Sequence, residues 1–280
     1  SETWLARHRG KALGIVQSSW AVGYAAAAAV AALVLPVWGW RGVFFVGVLP
    51  AFFTLWIQRR VREPEIWRSV RAKAPSVRAG LGEIFGRRRL RLTLFVTLMN
   101  ACTMFAWWGF NLWLPAYLSM PSGEGGIGLG PRTMSVLVIF MQAGMWLGYI
   151  TFGFISDRLG RKRSYVGFLV VAALSMLLYS QTRQPLLLLA LGPFVAFFGT
   201  GYFTGFGALT AEIYPTAVRA TAQGITYNAG RIVSAAAPFV VGALAQTRGF
   251  GFAFTLIAGA FLAAAALWAG IPETMGKPLD

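Results

Sequence analysis

The sequence predicts an all-α membrane protein with eight transmembrane helices. Hydrophobic residues make up 57% of the chain and charged residues only 12%, and the mean hydropathy is +0.62, which is too apolar for an ordinary soluble domain. Eight apolar runs are each close to or above the roughly 20 residues that a helix needs to cross about 30 Å of hydrocarbon. These runs are 12–35, 42–58, 92–118, 133–156, 164–182, 185–210, 220–247 and 250–271.

Small residues are frequent within these runs, as they are in membrane helices that pack closely. Pairs of glycines four residues apart recur, for example Gly144 with Gly148 and Gly201 with Gly205. Such pairs allow two backbones to approach each other, so we expect helix crossings at these positions.

Basic residues are distributed unequally between the two sets of loops. Four Lys or Arg lie in one set, Arg231 lies within a run, and the other twenty lie at the two chain ends or in 59–91, 157–163 and 211–219. Because cytoplasmic loops are enriched in Lys and Arg, both termini are predicted to be cytoplasmic, with the chain in the bilayer of the cytoplasmic membrane. The basic run 86–91 is interpreted as a solvated loop, and no nucleic-acid partner is predicted.

The chain offers little chemistry for an enzyme. Cys102 is the only cysteine, which excludes disulfides and cysteine-ligated metal sites within the chain, and His8, the only histidine, is interpreted as a solvated loop residue. The segment 123–128 has the spacing G-x-G-x-x-G, but no strand precedes it, so it is not interpreted as a nucleotide site. We therefore predict no enzymatic activity, no cofactor and no metal site.

A full positive charge, Arg231, lies near the middle of the apolar run 220–247. A charge at the membrane centre costs about 2.5–3.5 kcal/mol on insertion scales, so its presence indicates a function. On a helix, Tyr227, Asn228 and Arg231 share a polar face with small residues, and the opposite face is apolar. This pattern predicts a membrane transporter in which Tyr227, Asn228 and Arg231 contact the substrate.

Other polar side chains within the runs are candidates for the same cavity. Asn100, Trp107 and Asn111 follow one another at i, i+7 and i+11 of the helix predicted over 92–118. Gln142 lies in the middle of its run, and Gln17 lies in the first run. Because buried amides need partners, which in a transporter are often substrate or cavity water, we predict that these five residues also bind substrate.

The chain repeats itself at an offset of 210 residues. Residues 1–32 align with 211–242, so that Arg9 corresponds to Arg219. Four apolar runs precede the second copy and none precedes the first, which predicts four further helices before residue 1 in the intact protein. The predicted organisation is two helices at 1–58, a cytoplasmic loop at 59–91 between two bundles, and a six-helix bundle at 92–280.

The segment Gly153–Lys162, GFISDRLGRK, resembles the loop signature G-x-x-x-D-R-x-G-R-K of the major facilitator superfamily. Glu212 with Arg219, seven residues apart, and the exit segment 272–277, PETMGK, resemble other marks of that superfamily. The segments 9–24, 100–115 and 227–238 are more narrowly similar to the sialate and organic-acid:proton symporters. The resemblance implies the major facilitator fold, with this chain as the fifth to twelfth of twelve helices: the last two of the N-terminal bundle and a complete C-terminal bundle.

The loop signature implies a latch on the cytoplasmic side. Its predicted members are Gly153, Asp157, Arg158, Gly160, Arg161 and Lys162, with Glu212 and Arg219. Asp157 is expected to end a helix, where the helix dipole disfavours an anion, so it needs a cation from Arg158, Arg161 or Lys162. In the superfamily the matching Asp also caps a neighbouring helix, which the resemblance places near Thr221. Breaking and reforming this contact would provide the two states of alternating access, although the same residues could instead set only the topology.

The resemblance implies a secondary active transporter that moves a small carboxylate by alternating access, with a proton as the coupling ion. A guanidinium suits bidentate carboxylate binding, and the repeat counterpart of Arg231 is Ala21, so the fold itself does not require this charge. An ion pair with an acidic residue on one of the absent helices is the alternative role for Arg231. No Asp or Glu lies inside the eight runs, so the proton acceptor is expected outside this chain. A sugar-type porter for a neutral substrate and a non-transporting membrane fragment remain open as other functions.

Overall fold

The computed structural model describes residues 4–5, 8–60 and 77–277, and every regular element within these residues is helical. The α-helices of this part of the chain are α1 Arg9–Val46, α2 Leu49–Arg60, α3 Val77–Ile84, α4 Leu90–Ser119, α5 Pro131–Leu159, α6 Arg161–Gln181, α7 Pro185–Gly201, α8 Phe203–Ile213, α9 Thr216–Ser234 and α10 Ala237–Leu267. Short 3-10 helices occupy Ser122–Glu124 and Trp268–Gly270. The predicted all-α membrane class is confirmed.

The predicted helix limits agree closely with the structure where one run is one helix. The runs 92–118, 133–156 and 164–182 match α4, α5 and α6 to within three residues at each end. The run 185–210 corresponds to α7 and α8 together, which follow each other directly and form one apolar segment, Pro185–Ile213.

Within the described residues, six apolar segments are long enough to cross a membrane. One of them, Thr216–Gly270, has 55 residues and would be about 80 Å long as a single helix, far more than a bilayer. Gly249, with φ 82° and ψ 161°, interrupts the helix inside this segment, and Gly39 interrupts α1 in the same way. The break at Gly249 is compatible with two membrane crossings in Thr216–Gly270. The total of eight transmembrane helices remains a prediction.

The later helices form the well-packed part of the fold. α5 packs along α7, α4 packs along α9 and α10, and α6 packs against α7 and α10. A side chain at Gly144 would collide with the backbone of Pro193, and one at Gly148 would collide with the backbone of Phe197. The glycine pair predicted to mark a helix crossing therefore lies at the contact between α5 and α7.

The two first helices pack unevenly. The first half of α1 packs on α5 and α8, and it buries Ala12 and Ala21. By contrast, only 6% of the most apolar part of Pro36–Arg60 is buried, against 44–50% in the other five segments. Of the two first helices, the first half of α1 is therefore the part that packs against the later helices. The predicted boundary loop 59–91 stays a prediction, because residues 61–76 of it lie outside the described part.

Candidate functional site

A cleft of about 90 Å³ lies midway along the helices between α1, α4, α5, α8 and α9. Its lining residues are Gln17, Trp20, Tyr24, Trp107, Trp108, Asn111, Gln142, Met145, Tyr149, Phe203 and Tyr227. Five of the eight residues predicted to bind substrate are in this set: Gln17, Trp107, Asn111, Gln142 and Tyr227. They come from four different helices, so the fold brings together side chains that are up to 210 residues apart.

The cleft continues along α1 and α9 as a second opening. Gln17, Phe203 and Tyr227 line both openings, and the second one adds residues nearer the start of α1, including Leu13 and Gln223. The two openings therefore adjoin at Gln17, Phe203 and Tyr227, on the side of the cleft that faces α1 and α9.

Asn100 lies outside the cleft, although it was predicted to be part of it. Its side chain is only 2% exposed, and its amide Nδ2 donates to the carbonyl oxygens of Thr226 at 3.2 Å and Tyr227 at 3.3 Å. Gly230 leaves room for this amide, because a Cβ there would collide with it. Asn100 therefore holds α9 against α4 and positions Tyr227 at the cleft.

Asn228 and Arg231 lie on α9 but outside the lining of the cleft. The Asn228 amide donates to the Gly224 carbonyl at 2.8 Å, one turn earlier in the same helix. Arg231 is exposed and follows Tyr227 by one turn, so the two share a face of α9. Among the described residues, no carboxylate lies within 4.0 Å of the Arg231 guanidinium.

Several aromatic residues of the cleft were missed by the sequence analysis. Trp20 and Tyr24 follow Gln17 at i+3 and i+7, and Tyr149 follows Gln142 at i+7, so each shares a helix face with a predicted residue. Helical spacing from the predicted amides could have identified them. Trp108 precedes Asn111 by three residues and has the same signal, whereas Phe203 had none.

A cluster of charged residues lies where α5 ends and α6 begins, on the side predicted to be cytoplasmic. Asp157 accepts hydrogen bonds from the backbone N–H groups of Gly10 at 3.2 Å and Lys11 at 3.0 Å, so it caps the first turn of α1. An anion is favourable there because the unpaired N–H groups and the helix dipole attract it. The expected cap near Thr221 is therefore wrong for this structure, in which that helix begins at Thr216: Asp157 caps the equivalent helix of the other repeat.

Arg161 is the cation that pairs with Asp157. Its guanidinium is completely buried and donates to Asp157 Oδ1 at 2.6 Å, to Ser156 Oγ at 2.9 Å and to both oxygens of Glu212 at 3.0 and 3.2 Å. Arg9 at the start of α1 also donates to Glu212, at 2.9 Å. No three His, Cys, Asp or Glu side chains in the described ranges are arranged to hold a metal ion, and these buried carboxylates are instead neutralised by arginine.

Glu273 caps a second helix in the same region. It accepts hydrogen bonds from the backbone N–H groups of Arg161 at 2.8 Å and Lys162 at 3.1 Å, at the first turn of α6. Burial by itself raises the pKa of the Glu273 carboxyl, but backbone N–H donors of Met275, Arg161, Lys162 and Thr274 outweigh it and hold the pKa below its ordinary value of 4.5. Thr274 also donates its hydroxyl to Glu212 at 2.7 Å, which connects this segment to the arginine pair.

The two signature glycines permit close approach. A Cβ at Gly153 would collide with the Gly10 carbonyl of α1, and a Cβ at Gly160 would lie 2.5 Å from the Glu273 carboxylate. Gly160 also has φ +97°, a conformation that glycine adopts without strain. Both positions therefore bring helix ends together at the charge cluster.

The other predicted latch residues lie at the edge of this cluster. Arg158 is exposed, so Arg161 and not Arg158 provides the cation for Asp157. Lys162 Nζ donates to the Ile271 carbonyl at 3.2 Å, and Arg219 Nε donates to the Ala211 carbonyl at 3.1 Å.

Comparisons with known proteins agree with this fold. A family model described as Major Facilitator Superfamily matches residues 1–150 and 124–278. The proton:xylose symporter XylE, solved with 6-bromo-6-deoxy-D-glucose, superposes with a TM-score of 0.70 over 99% of this chain and 67% of its own, at 19% identity. That similarity concerns the fold alone.

Curated relatives are named for transport. A protein of Haemophilus influenzae named for metabolite transport is 37% identical over 292 residues, covering 100% of this chain and 70% of the relative. NiaP of Bacillus subtilis, named for niacin and nicotinamide transport, is 30% identical, and the match covers 99% of this chain and 67% of NiaP. The sialic acid transporter NanX of Escherichia coli is 28% identical, and the match covers 96% of this chain and 65% of NanX. This agrees with the resemblance to sialate and organic-acid symporters. The chain thus spans about two thirds of the length of these relatives.

Proposed function

The chain belongs to the Major Facilitator Superfamily, and we propose that the protein moves a small carboxylate across the cytoplasmic membrane by proton-coupled alternating access. The superfamily and the relatives make it a multi-pass membrane transporter and not an enzyme. The proposal consists of the carboxylate substrate, the proton coupling, the location in the cytoplasmic membrane and the orientation. In that orientation both ends of this chain lie on the cytoplasmic side.

Arg231 is the observation that supports a carboxylate substrate. Its guanidinium follows Tyr227 by one turn on the helix that borders the cleft, and it has no carboxylate partner among the described residues. A planar guanidinium can bind a carboxylate through two parallel hydrogen bonds. The relative NiaP is named for niacin, which is a carboxylic acid. Asn228 and the five cleft residues named above are proposed to complete the substrate site, with Asn100 acting through its hold on α9.

The charge cluster supports a two-state mechanism. Asp157 binds the start of α1 while Arg161 and Arg9 bind Glu212, so several helix ends are joined at one side of the cleft. We propose that this set of contacts closes the cytoplasmic side and that it breaks when that side opens. The proton acceptor is proposed to lie outside the described helices, because their carboxylates at Asp157 and Glu212 already bind arginine.

Uptake by the full-length transporter tests the carboxylate proposal. Wild type, Arg231→Ala and Arg231→Lys are compared for uptake of labelled nicotinate, sialic acid and a neutral hexose. We expect at least one acid to be transported, with about 100-fold less uptake for Arg231→Ala and a large loss for Arg231→Lys, because an ammonium cannot form two parallel hydrogen bonds.

Arg248→Ala is the matched control, since Arg248 is also an exposed arginine but stacks on Phe252, away from the cleft. Normal acid uptake by correctly inserted Arg231→Ala would refute the assigned role. Uptake of the hexose alone would support the neutral-sugar porter instead.

A further inference from the structure

A small side cavity opens from the cleft between α4, α5 and α7. It shares Tyr24, Trp107, Asn111, Gln142 and Met145 with the cleft, and apolar residues such as Leu114 and Ala196 form the rest of its wall. We call this cavity the amide niche, because Asn111 and Gln142 provide its two amide side chains.

The amides of the niche have no hydrogen-bond partners among the described residues. Gln142 Oε1 is buried and accepts no hydrogen bond from any described residue, and no hydrogen bond within that part of the chain involves the Asn111 side chain. The neighbouring amides of Asn100 and Asn228, by contrast, donate to backbone carbonyls. A buried carbonyl oxygen without a donor is unfavourable, so a ligand group that donates to it is bound selectively.

The rest of the cleft favours a flat ligand. Seven of its eleven lining residues are aromatic: Trp20, Tyr24, Trp107, Trp108, Tyr149, Phe203 and Tyr227. Aromatic faces cover the faces of a planar ring well, so a flat ligand makes extensive contact with these walls.

We propose that the amide niche selects flat carboxylates that carry a ring hydroxyl, which donates to Gln142 Oε1 and accepts from Asn111. A hydroxyl satisfies both amides at once, a ring nitrogen can only accept, and a ring C–H does neither. The ring then lies among the aromatic residues, with the carboxylate toward α9 and Arg231. This inference rests on the proposed function and specifies its substrate.

Competition assays on the full-length transporter test the niche. Wild type, Gln142→Leu and Gln142→Met are assayed for inhibition and uptake by benzoate, 4-hydroxybenzoate and nicotinate. For wild type we expect 4-hydroxybenzoate to bind about tenfold or more tightly than benzoate or nicotinate. In both Gln142 variants that preference should fall to about twofold or less, with benzoate binding unchanged or improved, because the unpaired oxygen has been removed.

Gln246→Leu is the control, since Gln246 is exposed on α10 and lines neither the cleft nor the niche; it should keep the wild-type preference. Equal binding of benzoate and 4-hydroxybenzoate by wild type, or stronger binding of nicotinate, would overturn the niche assignment while leaving acid transport intact. If wild type takes up no acid at all, the proposed function falls as well. The wild-type comparison decides the matter even where a Gln142 variant fails to insert.

Discussion

The charge cluster and the cleft are both polar regions within an apolar bundle, but they differ in how their polar groups are paired. In the cluster, Asp157, Glu212 and Glu273 each accept several hydrogen bonds from arginines, backbone N–H groups or Thr274. In the cleft, Gln142 Oε1 has no donor among the described residues. The carboxylates of the cluster are therefore paired within the protein in this conformation, whereas the Gln142 carbonyl of the cleft gains a donor only when something binds.

The difference separates stability from binding. Removing a group from the paired cluster leaves buried charges without partners, which destabilises the fold or this conformation. Removing a group from the cleft changes what it binds and leaves the resting structure nearly unaffected.

The largest effect is expected for Arg161→Met. The substitution leaves the buried carboxylates of Asp157 and Glu212 without the guanidinium that joins them, and breaking such a buried pair costs about 3–5 kcal/mol. We expect a clear fall in the melting temperature of the purified full-length protein and loss of nearly all transport. Arg158→Met, at the exposed arginine of the same signature, should change both by little. Equal damage from the two substitutions would show that the signature matters only for total charge.

The two asparagines of α4 test the division within one helix. Asn100→Ala removes hydrogen bonds to the backbone of α9 and leaves a gap, so we expect a loss of about 1–2 kcal/mol in stability and a melting temperature lower by a few degrees. Asn111→Ala should leave the melting temperature within about 1 °C of wild type while weakening substrate binding. If thermal denaturation gives the opposite order, Asn100 is not the structural member of the pair.

These asparagines also show what the sequence could predict. Helical spacing correctly placed Asn100, Trp107 and Asn111 on one side of α4, but it could not show that α9 covers that side at Asn100 and leaves it open at Asn111. Spacing identifies a face, and only the tertiary packing decides which neighbour covers it.

The repeat explains the incorrect cap for the same kind of reason. Gly10 and Lys11 are the counterparts of Ala220 and Thr221, so the repeat offers two equivalent positions for the cap, and the resemblance selected the one that lies inside α9, which begins at Thr216. The buried partners of the signature, Arg161 with Glu212, could be predicted as a group because charges at helix ends need counter-ions. Which arginine pairs with which carboxylate could not be predicted, because it depends on how α1, α6 and α8 pack together at the cluster.

Asp157→Asn should have a smaller effect than Arg161→Met. The amide keeps one oxygen to accept from Gly10 or Lys11 but loses the charge that favours both the helix end and Arg161. We expect about a tenfold shift toward the conformation in which α1 has separated from α5. Leu13→Cys, made together with Cys102→Ala, places a single thiol at the second opening beside α1. We expect this thiol to be alkylated about tenfold faster in Asp157→Asn.

The exposed carboxylate Glu83, 3.8 Å from Arg89, provides the control for that measurement. Glu83→Gln should leave the alkylation rate as in wild type. An unchanged rate in Asp157→Asn would mean that the cap does not hold α1 against α5.

The smallest effect concerns Glu273, whose pKa is lowered in the folded protein by the backbone N–H groups that donate to it. A carboxyl with a lowered pKa stabilises the fold above its ordinary pKa of 4.5, and this contribution is lost as the pH falls through the lowered folded value. Glu273→Gln should therefore reduce the melting temperature slightly at about pH 7, and the difference from wild type should shrink toward zero as the pH falls below 4.5 and through the lowered folded pKa. The contribution is modest because the side chain is exposed to solvent, which screens it. A difference that stays constant over this range would assign the effect to hydrogen bonds that the amide cannot make and not to the charge, so that the charge of Glu273 would not belong to the paired cluster.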